Sequence, residues 1–335
     1  MKTKKHAVII ALAMCLICSV SKAQESLQDS QQLDVSGLAD QIRAKREVNR
    51  QKKAVKLRKA IEDNDTKAAK RMLKSGKAGR WVLKEKTGAE GATALMVAAG
   101  EGNITLVREL LKKRAVEKDA VDNDHWTAVT YAVNSGHTEI VKLLLEYDGM
   151  PHYGTDLSRA AVIGYTEIVK VLLDKGYYTD SQGKNGWTAL MWAAKEGHTE
   201  IVKLLLEKGA KSRYKNDDGN TALILAAWYG HTDTVKVLLE NGADTNIQNG
   251  YGNTALILAA YNKDVDTVEL LLKNGANPNI QDKIGYTALT WAASRGYVDT
   301  AKVLLENGAD PNIKTESGDT ALLKAAYNED VDTVE

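Results

Sequence analysis

The stretch GWTALMWAAKEGHTEIVKLLLEKGA, Gly186 to Ala210, decides the fold of this 335-residue chain. It opens on the turn pair Asn185-Gly186. Thr188 stands where a hydroxyl accepts from the first free amide N–H groups of a helix. Ala189, Leu190, Ala193 and Ala194 then form a thin apolar stripe at helical spacing. Gly197 suits the left-handed conformation that ends a helix. Thr199 starts a second helix, with Ile201, Val202, Leu204, Leu205 and Leu206 facing inward, and Gly209 closes it. Two such helices cannot bury their own apolar faces, because the alanines of one leave the leucines of the other half exposed. The unit needs neighbours on both sides, and each Leu or Ile buried there contributes roughly 1.5–3 kcal/mol.

The neighbours are in the sequence. The triplet Thr-Ala-Leu or a close variant recurs at Thr93, Thr127, Thr188, Thr221, Thr254, Thr287 and Thr320, so its last four steps along the chain are equal. The long gap between Thr127 and Thr188 holds a degenerate copy, Thr155-Asp156-Leu157, one such step before Thr188. The step from Thr127 to Thr155 is then too short, which implies a small deletion in the loop around Tyr147 to Tyr153. A period sustained this way is the mark of stacked units whose stability is a sum over repeats and interfaces.

The pattern G-x-T-A-L-x-x-A-A-x-x-G-H-T-E-I-V-K-L-L-L-E-x-G-A resembles the ankyrin repeat, over roughly residues 88–335. The resemblance implies an all-α solenoid of helix–turn–helix units, joined by short β-hairpin fingers, with a concave binding face. Units are expected near 88–121, 122–149, 150–182, 183–215, 216–248, 249–281, 282–314 and, incomplete, 315–335. Two departures recur. Ala replaces the Pro that follows the Thr, as at Ala189 and Ala222. The His after the Leu is Met191, Ile224, Ile257, Thr290 or Leu323, so the Thr-to-His hydrogen bond is expected to be missing.

Outside the array, Lys2, Lys4 and Lys5 precede an apolar run from Ala7 to Val20, and Ser21-Lys22-Ala23 stands before Gln24. This is the pattern of a cleaved secretory signal over 1–23. The run is short of the roughly 20 residues a spanning helix needs, which disfavours the alternative of an uncleaved anchor. The chain is therefore expected to be exported, periplasmic or secreted, with no membrane span after cleavage. Residues 24–53 are polar, with Gln24 to Ser36 a flexible lead, and then basic. Residues 54–87 read as a worn capping repeat: Ala54, Leu57, Ala60 and Ile61 in one helix, Ala68, Ala69, Met72 and Leu73 in the next. At the other end, YNKDVDTVE (261–269) is nearly repeated as YNEDVDTVE (327–335), where the chain stops without the following leucines. Either the sequence is a fragment or its last unit is frayed; the fragment is the favoured expectation. The repeated GNTALILAA at 219–227 and 252–260 points to duplicated units.

Composition narrows function. Both cysteines, Cys15 and Cys18, lie inside the signal-like segment, so the rest has no thiol catalyst and no Cys-based metal site. Beyond Ala23, Lys and Arg number 41 against 44 acids, which gives no global bias toward nucleic acid. His137, His198 and His231 each follow an inter-helix Gly at or near the repeat period and read as scaffold positions with a local hydrogen bond. His125 and His152 have no Cys partner or helical His pair, so no metal is expected. No nucleophile elbow, phosphate loop or dinucleotide fingerprint is present. Glu200, Asp233 and Asp266 stand at helix starts and complement the helix dipole. An enzyme or metal protein is the least favoured reading, and no cofactor is implied.

The basic run Arg43 to Lys59 has two readings. One is a solvated helix face leading into the cap. The other is contact with an acidic membrane surface or partner. Aromatic residues give a sharper signal. The resemblance implies that finger tips and the last exposed positions of each first helix contact partners. Here these are Trp126, Trp187, Asn220, Tyr251, Asn253 and Tyr286 in the fingers. In the helices they include Lys195, Glu196, Trp228, Tyr229, Tyr261 and Arg295, with Asn134, Ser294 and Tyr327 at matching positions. Trp, Tyr and Arg dominate interface hot spots. Trp192 and Trp291 sit inside helices and are expected in the core. The sequence thus points to a monomeric, non-catalytic scaffold for an unidentified partner protein. A self-assembling envelope protein is the alternative.

Overall fold

The computed structural model describes residues 35–74, 86–87, 90–147 and 155–327, with backbone alone for 35–38. The signal-like residues 1–23, the shortened loop around Met150 with His152, and residues 328–335 lie outside the described residues. The described chain is helical throughout. Its helices are α1 (Val35–Glu62), α2 (Thr66–Lys74), α3 (Ala94–Gly100), α4 (Ile104–Leu111), α5 (Ala128–Asn134), α6 (Thr138–Tyr147), α7 (Thr155–Ile163), α8 (Thr166–Asp174) and α9 (Ala189–Lys195). They continue as α10 (Thr199–Glu207), α11 (Ala222–Trp228), α12 (Thr232–Glu240), α13 (Ala255–Tyr261), α14 (Val265–Lys273), α15 (Ala288–Ser294), α16 (Val298–Glu306) and α17 (Ala321–Tyr327).

From α3 to α16 the helices come in pairs, and α17 follows as a further first helix. Each first helix (α3, α5, α7 and so on to α17) packs on the first helices before and after it, and each second helix from α4 to α16 on its own neighbours. The core is one continuous seam. Leu190, Ile201, Val202 and Leu205 are buried in it, while Leu204 and Leu206 are half-buried at its outer edge. The first helices of the central repeats bury most of their residues. Ala222 to Ala227 are all inaccessible, because two flanking first helices close on a helix whose small side chains permit the approach.

The threonine caps form as the spacing requires. Thr188, Thr221, Thr254 and Thr287 each accept from the backbone N–H three residues on. The loss of the threonine-to-histidine bond holds where Met191, Ile224 and Ile257 follow. At Thr290 a different bond takes its place, since this hydroxyl lies 3.0 Å from that of Thr287. Thr127 and Thr130 do the same at 3.1 Å.

Three sets of contacts tie repeat to repeat. The first comes from the histidines, whose hydrogen bonds are not local. Nε2 of His137, His198 and His231 meets the carbonyls of Gly100 (2.9 Å), Val162 (3.3 Å) and Lys195 (2.9 Å), each in the preceding repeat. The inter-helix glycine of that preceding repeat makes room for the ring. A Cβ at Gly197, where φ is +71°, would lie 2.6 Å from His231 Nδ1.

The second set is a row of glutamines. Gln182, Gln248 and Gln281 each donate both within their own finger and to a carbonyl of the next repeat, that of Lys215, Gln281 and Lys314 in turn. The third is a row of threonine pairs, each joining a half-buried to a buried hydroxyl. Thr199 bonds Thr234 at 2.8 Å and Thr232 bonds Thr267 at 2.9 Å. The next step of this row is broken: Val265 stands where Thr199 and Thr232 stood, and the Thr300 hydroxyl is buried without a partner.

The N-terminal helix is longer than expected. It runs without interruption from Val35 to Glu62, so Val35 and Ser36 belong to it and not to a flexible lead. Ala54, Leu57 and Ile61 are buried, as are Ala69 and Leu73 of α2. Arg58 is not part of a solvated face: it is held by Glu62 and donates to the Thr87 carbonyl.

The connecting fingers also differ from the expectation. No strand occurs among the described residues; Thr87 and Ala92 form an isolated antiparallel bridge. The other fingers are tight turns closed by a few backbone bonds, such as Asp282 N–H to Tyr286 O at 2.9 Å and Gly285 N–H to Asp282 O at 3.0 Å.

Candidate functional site

The site begins with the side chain that opens each of two fingers. Asn249 Oδ1 accepts from the N–H groups of Tyr251 (2.9 Å) and Asn253 (3.0 Å), and Asp282 Oδ1 accepts from Ile284 (3.0 Å) and Tyr286 (2.9 Å). Each turn is thereby fixed by its own first residue, which throws Tyr251 and Ile284 out at the tips. Successive fingers are joined by main-chain bonds, from Gly250 N–H to Asp218 O (2.7 Å) and from Lys283 N–H to Tyr251 O (3.0 Å). Gly252 permits that approach, since a Cβ there would lie 2.7 Å from Lys283 N.

The second oxygen of an aspartate anchor reaches the first helix. Asp282 Oδ2 accepts the indole N–H of Trp291 at 2.9 Å, and Asp122 Oδ2 accepts the Tyr131 hydroxyl at 2.7 Å. Burial and this carboxylate push the Tyr131 phenol well above its ordinary range. Where the anchor is Asn216 or Asn249, the residue nine positions on is Leu225 or Leu258 and offers no donor. Carboxylates thus occur with donors, and amides with leucines.

On this frame two clefts lie side by side. One, of about 240 Å³, is lined by Trp187, Lys195, Asp218, Asn220, Ile224, Leu225, Trp228, Tyr229, Asn249 and Tyr251. The other, of about 320 Å³, is lined by Trp228, Tyr251, Asn253, Asp282, Lys283, Ile284 and Trp291. Trp228 and Tyr251 line both and form the ridge between them. They are 46% and 65% exposed, far more than folding asks of such large apolar rings.

The structure brings most of the expected contact residues together here: Trp187, Lys195, Asn220, Trp228, Tyr229, Tyr251 and Asn253 line one cleft or both. The others flank them or stand apart. Glu196 pairs with Lys195 at 2.8 Å and holds that ammonium above its ordinary range; Lys195 Nζ also lies 5.3 Å from the Tyr229 ring centre. Arg295 sits over Tyr261 at 3.8 Å, and Tyr261 meets Trp291 edge to face at 5.0 Å. Tyr286 is tilted against Trp291 at 4.6 Å and lines neither cleft. Trp126 is elsewhere, edge-on to Tyr131 and beneath Arg159 at 4.1 Å.

Two side chains expected in the core also reach this surface. Trp192 is half-buried and stacked on Trp187 at 4.1 Å, and Trp291 is half-buried and forms a wall of the larger cleft. Helical periodicity places them inside, and Trp291 does pack against the core, but both rings stay half-buried and are met by the finger residues Trp187 and Tyr286. Ile284, Asp218 and Lys283 join the site without having stood out in the sequence. The repeat period carries their signal, since Ile284 stands one repeat after Tyr251.

Among the described residues, no cluster of His, Asp and Glu could hold a metal, and no helix is long and apolar enough to cross a membrane. The surface offers aromatic faces, amides and paired charges, which is the chemistry of recognition. A comparison with curated proteins gives no match. The family model described as ankyrin repeats (3 copies) matches residues 57–154, 157–249 and 242–315. Repeats of this kind generally mediate protein–protein interaction and are typically non-catalytic. With the period, the caps and the paired helices in agreement over most of its length, the chain belongs to the ankyrin repeat family.

Proposed function

We propose that this chain is a non-catalytic scaffold that binds a partner protein through the two clefts on either side of Trp228 and Tyr251. The observation that carries the reading is the exposure of these two rings above clefts walled by Trp187, Tyr229, Ile284 and Trp291. Half-exposed aromatic rings on a rigid frame lose little entropy on binding and bury large apolar area. The asparagines at the rim, Asn220 and Asn253, supply hydrogen bonds that set orientation. On this reading the N-terminal signal exports the chain, and the partner is met in the periplasm or beyond the cell.

The test is capture of partners from an extract of the envelope or surroundings of the producing cell, by the chain and by a Trp228→Ala/Tyr251→Ala variant. A specifically captured protein that is lost from the variant, with helicity unchanged, is the expected result. Undiminished capture by the variant places the site elsewhere.

A further inference from the structure

The worn N-terminal repeat carries a charge that its neighbours do not. Residues 51–74 hold nine cations against three acids, Glu62, Asp63 and Asp65, a net of +6. The rest of the chain beyond Ala23 holds 32 cations against 41 acids. Buried on the inner side of this repeat are Leu57, Ile61, Ala69 and Leu73. Its outer side shows Lys52, Lys53, Lys56 and Lys59 on α1 and Lys67 and Lys74 on α2, all exposed. Lys52, Lys56 and Lys59 fall at helical spacing on one stripe, with the 53%-exposed Val55 beside it.

The kind of cation matters. Of the two arginines, Arg58 is occupied by Glu62 and the Thr87 carbonyl, and Arg71 donates its Nε to the Lys67 carbonyl at 3.3 Å. None of the six exposed lysines takes part in an ion pair among the described residues. The free charge is therefore mostly ammonium on long flexible stems, suited to a diffuse anionic layer more than to one phosphate gripped by a fork. Residues 51–74 contain no aromatic side chain on which a nucleic-acid base could stack. An acidic array joined to one basic repeat also has a built-in orientation: the positive end is drawn to a negative surface while the remainder is repelled from it.

We propose that this N-terminal repeat docks on anionic phospholipid headgroups and holds the array at a membrane surface. Lysines contribute through proximity to the charged layer, and Val55 adds a small apolar contact. The interaction is separate from the aromatic clefts, so the two surfaces can be occupied together.

Sedimentation with vesicles tests this, using the chain from Gln24 onward, whose described buried residues all follow Arg50. The expected result is binding to vesicles of one part phosphatidylglycerol to two parts phosphatidylcholine, little binding to pure phosphatidylcholine, and release in about 0.5 M salt, which screens the charges. The Lys52→Gln/Lys53→Gln/Lys56→Gln/Lys59→Gln variant should bind the mixed vesicles about a hundredfold more weakly or worse, with its thermal melt unchanged. A Glu200→Gln/Lys203→Gln control on an exposed face of α10 should bind as the parent does. Equal binding to both vesicle types, no binding to either, or a variant that binds as well as the parent overturns the proposal. So does tighter binding to single-stranded RNA at the same salt.

Discussion

The indole N–H of Trp291 donates to Asp282 Oδ2 at 2.9 Å, while the other oxygen of that carboxylate holds the finger that carries Ile284 and Tyr286. One nearly buried carboxylate therefore fixes both the tip and the wall of the larger cleft. Asp282→Asn would turn an NH2 group toward the indole N–H or toward the finger amides, leaving two donors face to face. A loss of about 1–3 kcal/mol is expected, the cost of an unpaired buried polar group. Adding Trp291→Leu should recover much of it, because Asn249 with Leu258 is a native pairing one repeat earlier. Urea unfolding of the two single variants and the double variant measures the coupling.

The orphaned Thr300 makes a stabilising substitution predictable. Val265→Thr should restore the hydroxyl pair seen at Thr232 and Thr267 and raise stability by about 1 kcal/mol. The urea midpoint should rise with no change in slope. An unchanged midpoint would show that the Thr300 hydroxyl is already satisfied in solution.

Two glycines in equivalent places should respond differently to alanine. At Gly197 a Cβ meets His231 at 2.6 Å, whereas at Gly230 nothing lies within 4 Å, and both have positive φ. Gly230→Ala should cost only the backbone strain, about 1 kcal/mol, and Gly197→Ala should cost about 1–3 kcal/mol more because the ring must shift. Thermal melts of both variants, read against His231→Ala, separate the two causes.

Tyr131 gives a pH signature. Its phenol is pushed above the ordinary range by burial and by Asp122, so the folded state holds this proton more tightly than the unfolded chain. The corresponding stability is fully present below about pH 10, the unfolded value, and is lost as pH rises above it. The difference in tyrosinate absorbance between the parent and Tyr131→Phe should show one group titrating late. A group titrating at the ordinary value would mean that the Asp122 bond is absent in solution.

The repeat is plain in the sequence, because period, caps and glycines are local chemistry copied many times. Thr188, Gly197 and Ile201 carry their meaning in their own neighbourhoods. The histidine bonds are harder to read, since the partner of His231 is the carbonyl of Lys195 in the preceding repeat, and a carbonyl has no sequence identity. Trp192 and Trp291 are only half-buried for a related reason: helical phase gives direction but not what covers that direction. The exposed contact residues are legible only as positions in the period. Which of them share a cleft depends on finger stacking, and so the period groups Trp126 with residues that it does not touch.

Site-specific photo-crosslinking in the producing cell tests the central account most directly. A photoreactive phenylalanine derivative placed at Tyr251, on the ridge between the clefts, should give discrete higher-mass adducts on illumination. The same group at Lys203, exposed on α10 of the second-helix row, should give none. Adducts from Lys203 alone, or equally from both positions, would contradict a partner seated on the Trp228–Tyr251 ridge.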